Sequence, residues 1–319
     1  MSLTVLDIAD RIPTEAAAYE YMEQLCWPNG PICPHCGSTA ADYIRPLNGV
    51  SRRTRTGAMS ERRVWRCVQC RKQFSVLTGT VLHGTKIALR KWILVFFEMA
   101  SSKNGVAARE IERKYDLTPK SAWFMLHRIR EGMTNRNLAL WTNTTVVADE
   151  TYIGGDEKNR HANKKKHAGR GPGGKIPVLT LIDAERGESR SAVLPRINGT
   201  TLWLHILDNA DPTGSTLATD SHLGYVPIGE RFAKHVQVDH KARQYVKDGK
   251  GTNLAENFFS QLKRSIDGTH HHVSREHLSR YLAEFDMRYS TRKMSDQERF
   301  ATVMGQVGGR RLTYKRIIG

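Results

Sequence analysis

Two pairs of closely spaced cysteines constrain this 319-residue chain more than any other feature. Cys33 and Cys36 form the first CxxC pair, and Cys67 and Cys70 form the second. Each pair lets two thiolates reach one ion from a tight turn, and two such turns supply the four sulfur ligands of a tetrahedral zinc site. A redox pair is the alternative for one CxxC, but the surrounding sequence lacks the βαβ pattern of thioredoxin-like proteins. The sequence therefore predicts one structural Zn²⁺.

The stretch between the two cysteine pairs is longer than in a short zinc finger and includes an arginine-rich run at residues 52–55. We predict a zinc ribbon in which this stretch forms a β-hairpin or loop extension. Trp65 and Phe74 are expected to pack against the cysteine turns, and a ribbon this small depends on its metal to fold. Neither Cys26 nor His35 is assigned as a ligand.

The chain is strongly basic, with 49 lysines and arginines against 32 acidic residues and a net charge of +17. Together with the motifs below, this excess favours double-stranded DNA as a partner. An anionic membrane surface is the competing partner, but no basic amphipathic helix is evident. The apolar runs are far shorter than the ~18 residues of a membrane span, and the mixed, acidic N-terminal residues are unlike a signal peptide. We therefore expect a cytoplasmic protein associated with the bacterial nucleoid.

A helix-turn-helix is predicted in the segment that follows the ribbon. A helix over residues 106–115 leads into a turn, after which Thr118 and Pro119 provide a helix cap and a first helical residue. The next helix carries basic residues outside its apolar face, as helices that read DNA do. A plain three-helix packing unit has a similar pattern and is the alternative. The candidate DNA-binding residues are Lys120, Ser121, Trp123 and Arg128.

Residues 158–175 are biased in composition, with seven lysines and arginines and no acid. The glycines and the proline after the lysines predict a flexible basic loop. This loop is either a solvated insertion or an arm that contacts phosphates and becomes ordered on DNA, and the two descriptions are compatible. Its candidate DNA-binding residues are Lys164, Lys165, Lys166 and Arg170.

Three acidic residues of the second half lie at the end of a strand or the start of a helix. A β-branched strand that starts at residue 144 leads to Asp149, and a second short strand ends at Asp220. A helix with Asn253 as its predicted cap then carries Glu256. Phosphodiester cleavage and strand transfer use two divalent ions about 3.5–4 Å apart, and such hard cations prefer oxygen ligands. Two aspartates on adjacent strands and a glutamate from a helix could hold both ions.

Further polar residues near these acids are weaker candidates. Lys263 follows Glu256 by two helical turns, so it shares a face with that carboxylate and could bind a DNA phosphate. Glu150 ranks behind Asp149, because neighbouring residues of a strand point to opposite faces of the sheet. The remaining candidates are Arg264 for DNA binding and, as minor ones after another β-like run, Asp239 and His240.

Residues 26–315 resemble a bacterial insertion-sequence transposase of the zinc-ribbon DDE type. The matching motifs are, in order, CPHCG, CVQC, ADETYIGG, ATDSHLGY, TNLAENFFSQLKRSIDGTHHHVS and HLSRYLAEFDMRYSTR. The resemblance implies an α/β fold in which an RNase H-like catalytic domain, a mixed five-stranded sheet flanked by helices, follows a zinc ribbon and a helix-turn-helix-like domain.

The same resemblance implies a function and a set of site residues. It implies binding to terminal inverted repeats and to target DNA, two Mg²⁺ or Mn²⁺ ions, and a hydroxyl attack that transfers a strand. By position in the motifs, Asp149, Asp220 and Glu256 match the metal-binding catalytic triad. Lys263 matches the basic residue that often follows the glutamate. The basic loop departs from the family pattern, because it replaces a tight hairpin.

Three domains are predicted. Residues 1–82 form one N-terminal helix, which begins at residues 13–15, and the zinc ribbon. Residues 83–142 form the helix-turn-helix-like domain, and residues 143–319 form the catalytic domain. Synapsis of two DNA ends implies at least a homodimer on DNA. The main alternative is a sequence-specific DNA-binding protein that derives from a transposase and lacks catalytic activity. A structure-specific nuclease of the same fold, such as a junction resolvase, is a third alternative, against which the sequence-reading N-terminal half argues.

Overall fold

The computed structural model describes residues 3–39, 41–47, 62–135, 138–155, 174–239 and 250–318. The chain divides into two compact units. Unit 1 is Met1–Met133 together with Met294–Gly319, and unit 2 is Thr134–Lys293. Across the described ranges, no helix combines the length and the apolar character that a membrane crossing requires.

In its described residues, unit 1 contains a small antiparallel sheet and a set of helices. The strands are β1 (Ile44–Pro46), β2 (Trp65–Cys67) and β3 (Gln73–Phe74), and β2 pairs with both others. The helices are α1 (Val5–Arg11), α2 (Glu15–Cys26), α3 (Leu89–Ser101), α4 (Ala108–Tyr115), α5 (Pro119–Met133), α10 (Asp296–Gly305) and α11 (Tyr314–Ile318). The pairing of β1 with β2 is the base of the predicted hairpin extension, whose residues 48–61 lie outside the described ones.

The N-terminal residues form two helices where the sequence predicted one. Helix α2 begins as expected, because the Thr14 hydroxyl accepts a hydrogen bond from the Ala17 N–H at 3.1 Å. The additional helix α1 is capped by Thr4, whose hydroxyl accepts from the Asp7 N–H at 3.1 Å. The Asp7 carboxylate accepts from the Thr4 N–H in return, at 2.8 Å. This reciprocal capping box was a signal for a helix start that the sequence interpretation passed over.

Helices α4 and α5 form the predicted helix-turn-helix-like pair. Asp116 ends α4 with a φ of 48°, a left-handed conformation that reverses the chain direction. The Thr118 hydroxyl then accepts from the Ser121 N–H at 3.2 Å and caps α5. The apolar face of α5 is buried, through Ala122, Met125, Leu126 and Ile129.

Residues 294–319 lie in unit 1, although the sequence assigned them to the catalytic domain. Helix α10 packs on α3, where the rings of Phe97 and Phe300 meet edge to face at 5.7 Å. Further along, the Arg310 guanidinium donates to the Glu131 carbonyl at 2.7 Å. The physical reason is burial: α10 needs an apolar partner for Phe300, Val303 and Met304, and α3 supplies one.

Unit 2 is built on a mixed sheet, and its described residues contribute five strands. The strands are β4 (Thr145–Ile153), β5 (Ile176–Asp183), β6 (Glu188–Val193), β7 (Thr216–Asp220) and β8 (Lys234–Val238), in the order β6-β5-β4-β7-β8. The β4, β5 and β6 pairs are antiparallel, whereas β7 and β8 continue the sheet in parallel from β4. The helices are α6 (Gly199–Leu207), α7 (Val226–Gly229), α8 (Asn253–Ser265) and α9 (Arg275–Ser290). This is the predicted arrangement of a mixed sheet flanked by helices.

Helices cover both faces of this sheet. On one face, α8 and α9 pack Phe258, Leu262 and Leu282 against sheet residues such as Val147 and Ala218. On the other face, α6 and α7 close a second core that contains Val146, Ala148, Leu202, Leu217 and Ile228. The alternation along β4 and β7 is therefore complete, with odd residues of β4 and even residues of β7 under α8 and α9.

A polar contact fixes α9 to the edge strand β6. The half-buried Asp286 carboxylate accepts hydrogen bonds from the Ser189 hydroxyl, the Ser191 N–H and the Ser191 hydroxyl, each at 2.8 Å. Burial nevertheless raises the pKa of Asp286 to about 6. The contact that holds α9 on β6 therefore uses a carboxylate whose charged form is disfavoured by burial.

Candidate functional site

Asp149 and Asp220 lie side by side on neighbouring strands. In the parallel pairing of β4 with β7, Val147 faces Ala218. Two residues further along each strand, the same register brings Asp149 level with Asp220, and adjacent strands are about 4.8 Å apart. Val147 and Ala218 point toward α8, so both aspartates point to that face as well. The two aspartates therefore share one edge and one face of the sheet.

Glu256 approaches the same place from α8. It lies in the first turn of that helix, which begins after Thr252 rather than at the predicted cap Asn253. The Glu256 N–H donates to the Thr252 carbonyl at 3.0 Å, and the side chain is exposed. Ala255, Phe258 and Leu262 are buried on the other side of α8. This packing leaves the glutamate at the margin of the aspartate pair.

The electrostatics of Asp149 reflect this convergence. Burial raises its pKa to about 7. A hydrogen bond at 2.8 Å from the N–H of Glu150 counters the rise, but the charges of the nearby carboxylates add to it. The contributing charges come from Glu150, Asp220 and Glu256. A half-buried carboxylate with acidic neighbours is a place where a cation would relieve repulsion.

Asp220 is fixed by the chain that follows it. Its carboxylate accepts a hydrogen bond from the His222 N–H at 3.0 Å. The His222 ring in turn accepts from the Gly224 N–H at 3.1 Å, so the turn after β7 is closed. A Cβ at Gly224 would lie 2.9 Å from the His222 ring, which makes glycine the residue that this turn accommodates.

Glu150 points to the opposite face of the sheet from Asp149. There it accepts a hydrogen bond from the hydroxyl of Tyr225, which is completely buried. Burial raises the pKa of Glu150, while the Tyr225 hydroxyl lowers it. Sequence reasoning ranked Glu150 behind Asp149 on alternation, but it did not identify Tyr225. Nothing in the spacing from Asp220 to Tyr225 indicates a partner on another strand.

The remaining acidic-site candidates lie in different settings. Lys263 is exposed on α8, two helical turns after Glu256. Arg264 is exposed beside it, with its guanidinium 3.5 Å from the Ser260 hydroxyl. Asp239 directly follows β8, and His240 lies outside the described residues.

The four predicted zinc ligands converge in unit 1. The sulfurs of Cys33 and Cys70 are 3.7 Å apart, as are those of Cys36 and Cys67. A tetrahedral ion at ~2.3 Å from each sulfur would separate them by about 3.8 Å. Over the stretches that the structure describes, no other group of three or more histidine, cysteine or carboxylate side chains has its ligand atoms within 4.8 Å of one another. The cysteines thus fit zinc.

Aromatic packing supports the cysteine cluster. Trp65 and Phe74 pack with the ligand turns, as predicted, and Trp27 meets both rings edge to face at 6.3 and 5.9 Å. The Trp65 indole also donates to the buried Glu23 of α2 at 2.8 Å. The ribbon is therefore continuous with α2. Cys26 is not part of the cluster, and burial raises the pKa of its thiol to about 11.

The candidate DNA-binding residues of α5 divide into two groups. Lys120 is exposed, and Ser121 and Trp123 are half-buried, in the first turns of the helix. Arg128, by contrast, is 4% exposed, and its guanidinium donates to the carbonyls of Val81 and His83. The prediction that Arg128 faces DNA is therefore wrong, because those carbonyls and the rings of Trp92 and Phe124 surround its side chain. The candidates in the basic loop, Lys164, Lys165, Lys166 and Arg170, lie outside the described residues.

Comparison with known proteins finds two matching transposase family models and a similar protein from a transposable element. The family model of the ISXO2-like transposase domain matches residues 143–290, and that of the transposase zinc-ribbon domain matches residues 13–73. A curated relative from Halobacterium salinarum, an uncharacterized protein in transposable element ISH50, is 25% identical over 301 residues, which cover 91% of this chain and 96% of the relative. Among solved structures, a chain of the simian T-cell lymphotropic virus intasome in complex with PP2A regulatory subunit B56 gamma aligns with 55% of this chain at 14% identity and a TM-score of 0.27. The alignment spans 63% of that viral chain.

Proposed function

This chain belongs to the ISXO2-like insertion-sequence transposases with a zinc ribbon, and from that premise we propose that it cuts and joins DNA at the ends of its own element. The chemistry would be hydrolysis of a phosphodiester, followed by attack of the freed 3′ hydroxyl on a phosphorus of target DNA. In that second step the 3′ oxygen forms a new P–O bond, and the P–O bond to the target strand's own 3′ oxygen breaks. That leaving oxygen takes up a proton in place of the one that the attacking hydroxyl loses. The reaction needs no outside energy source, because each bond broken is matched by one formed.

The observation that carries the proposal is the meeting of Asp149, Asp220 and Glu256 at one margin of the sheet. The strand register aligns the two aspartates, and α8 brings the glutamate to the same face. Like charges in a partly buried place are unfavourable unless a cation balances them. Oxygen ligands from three elements fit hard divalent ions such as Mg²⁺ or Mn²⁺.

Each residue of this cluster would have its own part in the reaction. Divalent ions, when bound, would activate the attacking oxygen and stabilise the leaving oxygen. Asp149 and Asp220 would hold the ions and so orient the phosphate of the DNA strand. Asp220 is itself held in place by a hydrogen bond from the turn that follows it. Glu256 would close the site from α8. Lys263, exposed two turns along that helix, would bind a neighbouring phosphate and align the strand.

Unit 1 would supply DNA recognition. The cysteine cluster has the donor set and the sulfur spacing of a structural zinc site, which would hold the ribbon in its folded form. The first turns of α5, with Lys120, Ser121 and Trp123, would contact the terminal inverted repeats. The basic loop with Lys164 would contact phosphates of the same DNA. Joining two ends to one target requires at least two copies of the chain on DNA.

A strand-transfer assay tests the proposal. Purified zinc-loaded protein is mixed with DNA flanking its own gene and a supercoiled target, with Mg²⁺ or Mn²⁺ present. Asp220→Asn and Glu256→Gln should each abolish joining while retaining binding to the flanking DNA. Asp208→Asn and Glu230→Gln, which remove exposed charges elsewhere in unit 2, are the matched controls and should join DNA at the normal rate.

The outcomes separate the candidate functions. Joining by Asp220→Asn at the rate of the unaltered protein would refute the triad. Specific binding without cleavage by any version of the protein would favour a DNA-binding protein that has lost its catalytic activity. Cleavage of branched DNA regardless of sequence would favour a structure-specific nuclease.

A further inference from the structure

The last helix of the chain lies against the first turns of α5. The ring of Tyr314, the first residue of α11, meets Phe124 edge to face at 5.5 Å and Trp123 at 6.4 Å. The ammonium nitrogen of Lys120 lies 4.2 Å from the centroid of the same ring. A cation over an aromatic face is attracted by the quadrupole of the ring. Tyr314 therefore helps to fix where Lys120 presents its charge.

The segment that carries Tyr314 is anchored in unit 1. The Arg310 N–H donates to the Gly79 carbonyl at 3.1 Å, and its guanidinium contacts the last turn of α5. Leu312 and Ile317 are 3% and 5% exposed, so apolar side chains before and within α11 are buried. A segment held by several buried groups keeps one position relative to α5. Tyr314 is thus held beside Lys120, and Lys315 and Arg316 follow it directly in the chain.

The exposed charges of this segment are basic. Lys315 and Arg316 project from α11 into solvent, Arg311 precedes them, and α11 contains no acid. On the neighbouring helix α4, Glu112 is paired with Arg109 at 2.9 Å. The bases of this surface therefore exceed its acids.

A cleft of about 450 Å³ lies beside these helices, between α4, the first turns of α5 and Tyr314, and its charged lining residues are Arg109, Glu112 and Lys120. Its lining is largely apolar and includes Pro119, Trp123 and Tyr314. Apolar side chains beside phosphate-binding bases suit a duplex, which presents sugar rings and thymine methyl groups next to its charged backbone. An acidic protein surface would pair with the basic side chains, but its charged groups would not pack against the apolar side chains of the cleft.

We propose that α11 forms part of the DNA-binding surface, with Lys315 and Arg316 binding backbone phosphates of the duplex that the first turns of α5 contact. The proposal rests on the proposed function, since it takes α5 to be the helix that approaches DNA. Residues at the far end of the chain would then contribute to recognition of the element ends, together with the N-terminal half.

The experiment measures the affinity of the full-length, zinc-loaded protein for a labelled duplex from the DNA that flanks its gene. Fluorescence anisotropy is recorded over a range of KCl concentrations for the unaltered protein and for Lys315→Gln/Arg316→Gln. Each lost phosphate contact lowers the slope of log K against log salt by about 1, so the double substitution should lower it by about 2. Affinity at 0.15 M salt should fall roughly ten-fold or more.

Matched substitutions control for the change in net charge. Lys86→Gln/Lys103→Gln removes two exposed bases near the two ends of α3, in the same unit, and should leave the slope nearly unchanged. Tyr314→Leu should weaken DNA binding, because Lys120 loses the aromatic ring that holds its ammonium group. Tyr314→Phe keeps the ring and should bind DNA normally. Thermal unfolding of each variant verifies the fold, and the exposed substitutions should leave it unaltered.

Three results would overturn the proposal. An unchanged slope for the α11 variant, with a lowered slope for Lys120→Gln, would remove α11 from the surface but keep α5 as the DNA-binding helix. Unchanged slopes for both would remove α5 as well, and with it the recognition part of the proposed function. A normal slope with an altered molar mass in solution would assign the α11 surface to a protein contact.

Discussion

The hydrogen bond from Tyr225 to Glu150 allows a quantitative test of how unit 2 is held together. Tyr225→Phe deletes one hydroxyl from a completely buried side chain and leaves the ring in place. Its partner is a half-buried carboxylate whose pKa burial already raises. A hydrogen bond to a charged group contributes about 1.5–3 kcal/mol. We expect the substitution to lower the free energy of unfolding by about 2 kcal/mol.

The stability that Tyr225→Phe loses should depend on pH. Donation by the Tyr225 hydroxyl stabilises the ionised form of Glu150, so its loss raises the pKa of that carboxyl further. The variant should therefore lose most stability at pH 8, where Glu150 must remain charged. The deficit should shrink toward pH 5, as protonation of Glu150 removes the charge that lacked a donor.

Urea unfolding at pH 5 and pH 8 measures both quantities, and Glu150→Gln completes a double-mutant cycle. The amide that this substitution introduces keeps an acceptor for the Tyr225 hydroxyl but carries no charge. The coupling between the two residues should therefore be about 1–2 kcal/mol at pH 8 and smaller at pH 5. Equal losses at the two pH values, or no coupling, would show that the contact does not stabilise a charge.

Four further outcomes follow from contacts described above. Asp149→Asn should abolish strand transfer, whereas Glu150→Gln should reduce it no more than its loss of stability explains, because that side chain faces away from the triad. Removal of zinc with a strong chelator should expose residues 26–82 to limited proteolysis and leave unit 2 protected, and an unchanged digestion pattern would contradict a structural metal. Arg128→Gln should cost about 2–3 kcal/mol of stability, since the carbonyls of Val81 and His83 lose their donor, and should leave the salt dependence of DNA binding unaltered. Asp286 has a higher pKa in the folded state than in the unfolded state, so the folded state binds its proton more tightly. The free energy of unfolding should therefore fall as pH rises from about 4 through 6. Relative to Asp286→Asn, the unaltered protein should thus lose about 1 kcal/mol in urea unfolding between pH 5.5 and 7.5.

Local patterns in the sequence predicted the elements of the site well. The strand that contains Asp149, the cap at Thr118 and the cysteine pairs each depend on residues a few positions apart, which a sequence displays directly. Alternation along a strand also separated the faces of Asp149 and Glu150. These features arise from backbone geometry that repeats every two or four residues.

Long-range contacts were beyond such patterns. Helical periodicity places Arg128 beside an apolar stripe, but it does not reveal that the carbonyls of Val81 and His83 lie opposite. Likewise, no local signal shows that α10 packs on α3 rather than on the sheet, since any apolar face would bury it. The register of β4 with β7 depends on how two strands that are distant in the sequence pack against the same cores. This register aligns Asp149 with Asp220.

The position of α10 has a consequence for the order in which the protein can form during synthesis. Unit 1 is completed by residues that are translated after all of unit 2. At about 5–20 residues per second, unit 2 takes roughly 10–30 s to make. Throughout that interval Phe97 of α3 has no Phe300 to pack against, so a nascent chain carries an uncovered apolar face. Ribosomes that stall within unit 2 would release products with the ribbon and α5 present but with unit 1 unclosed, and such products should be prone to degradation.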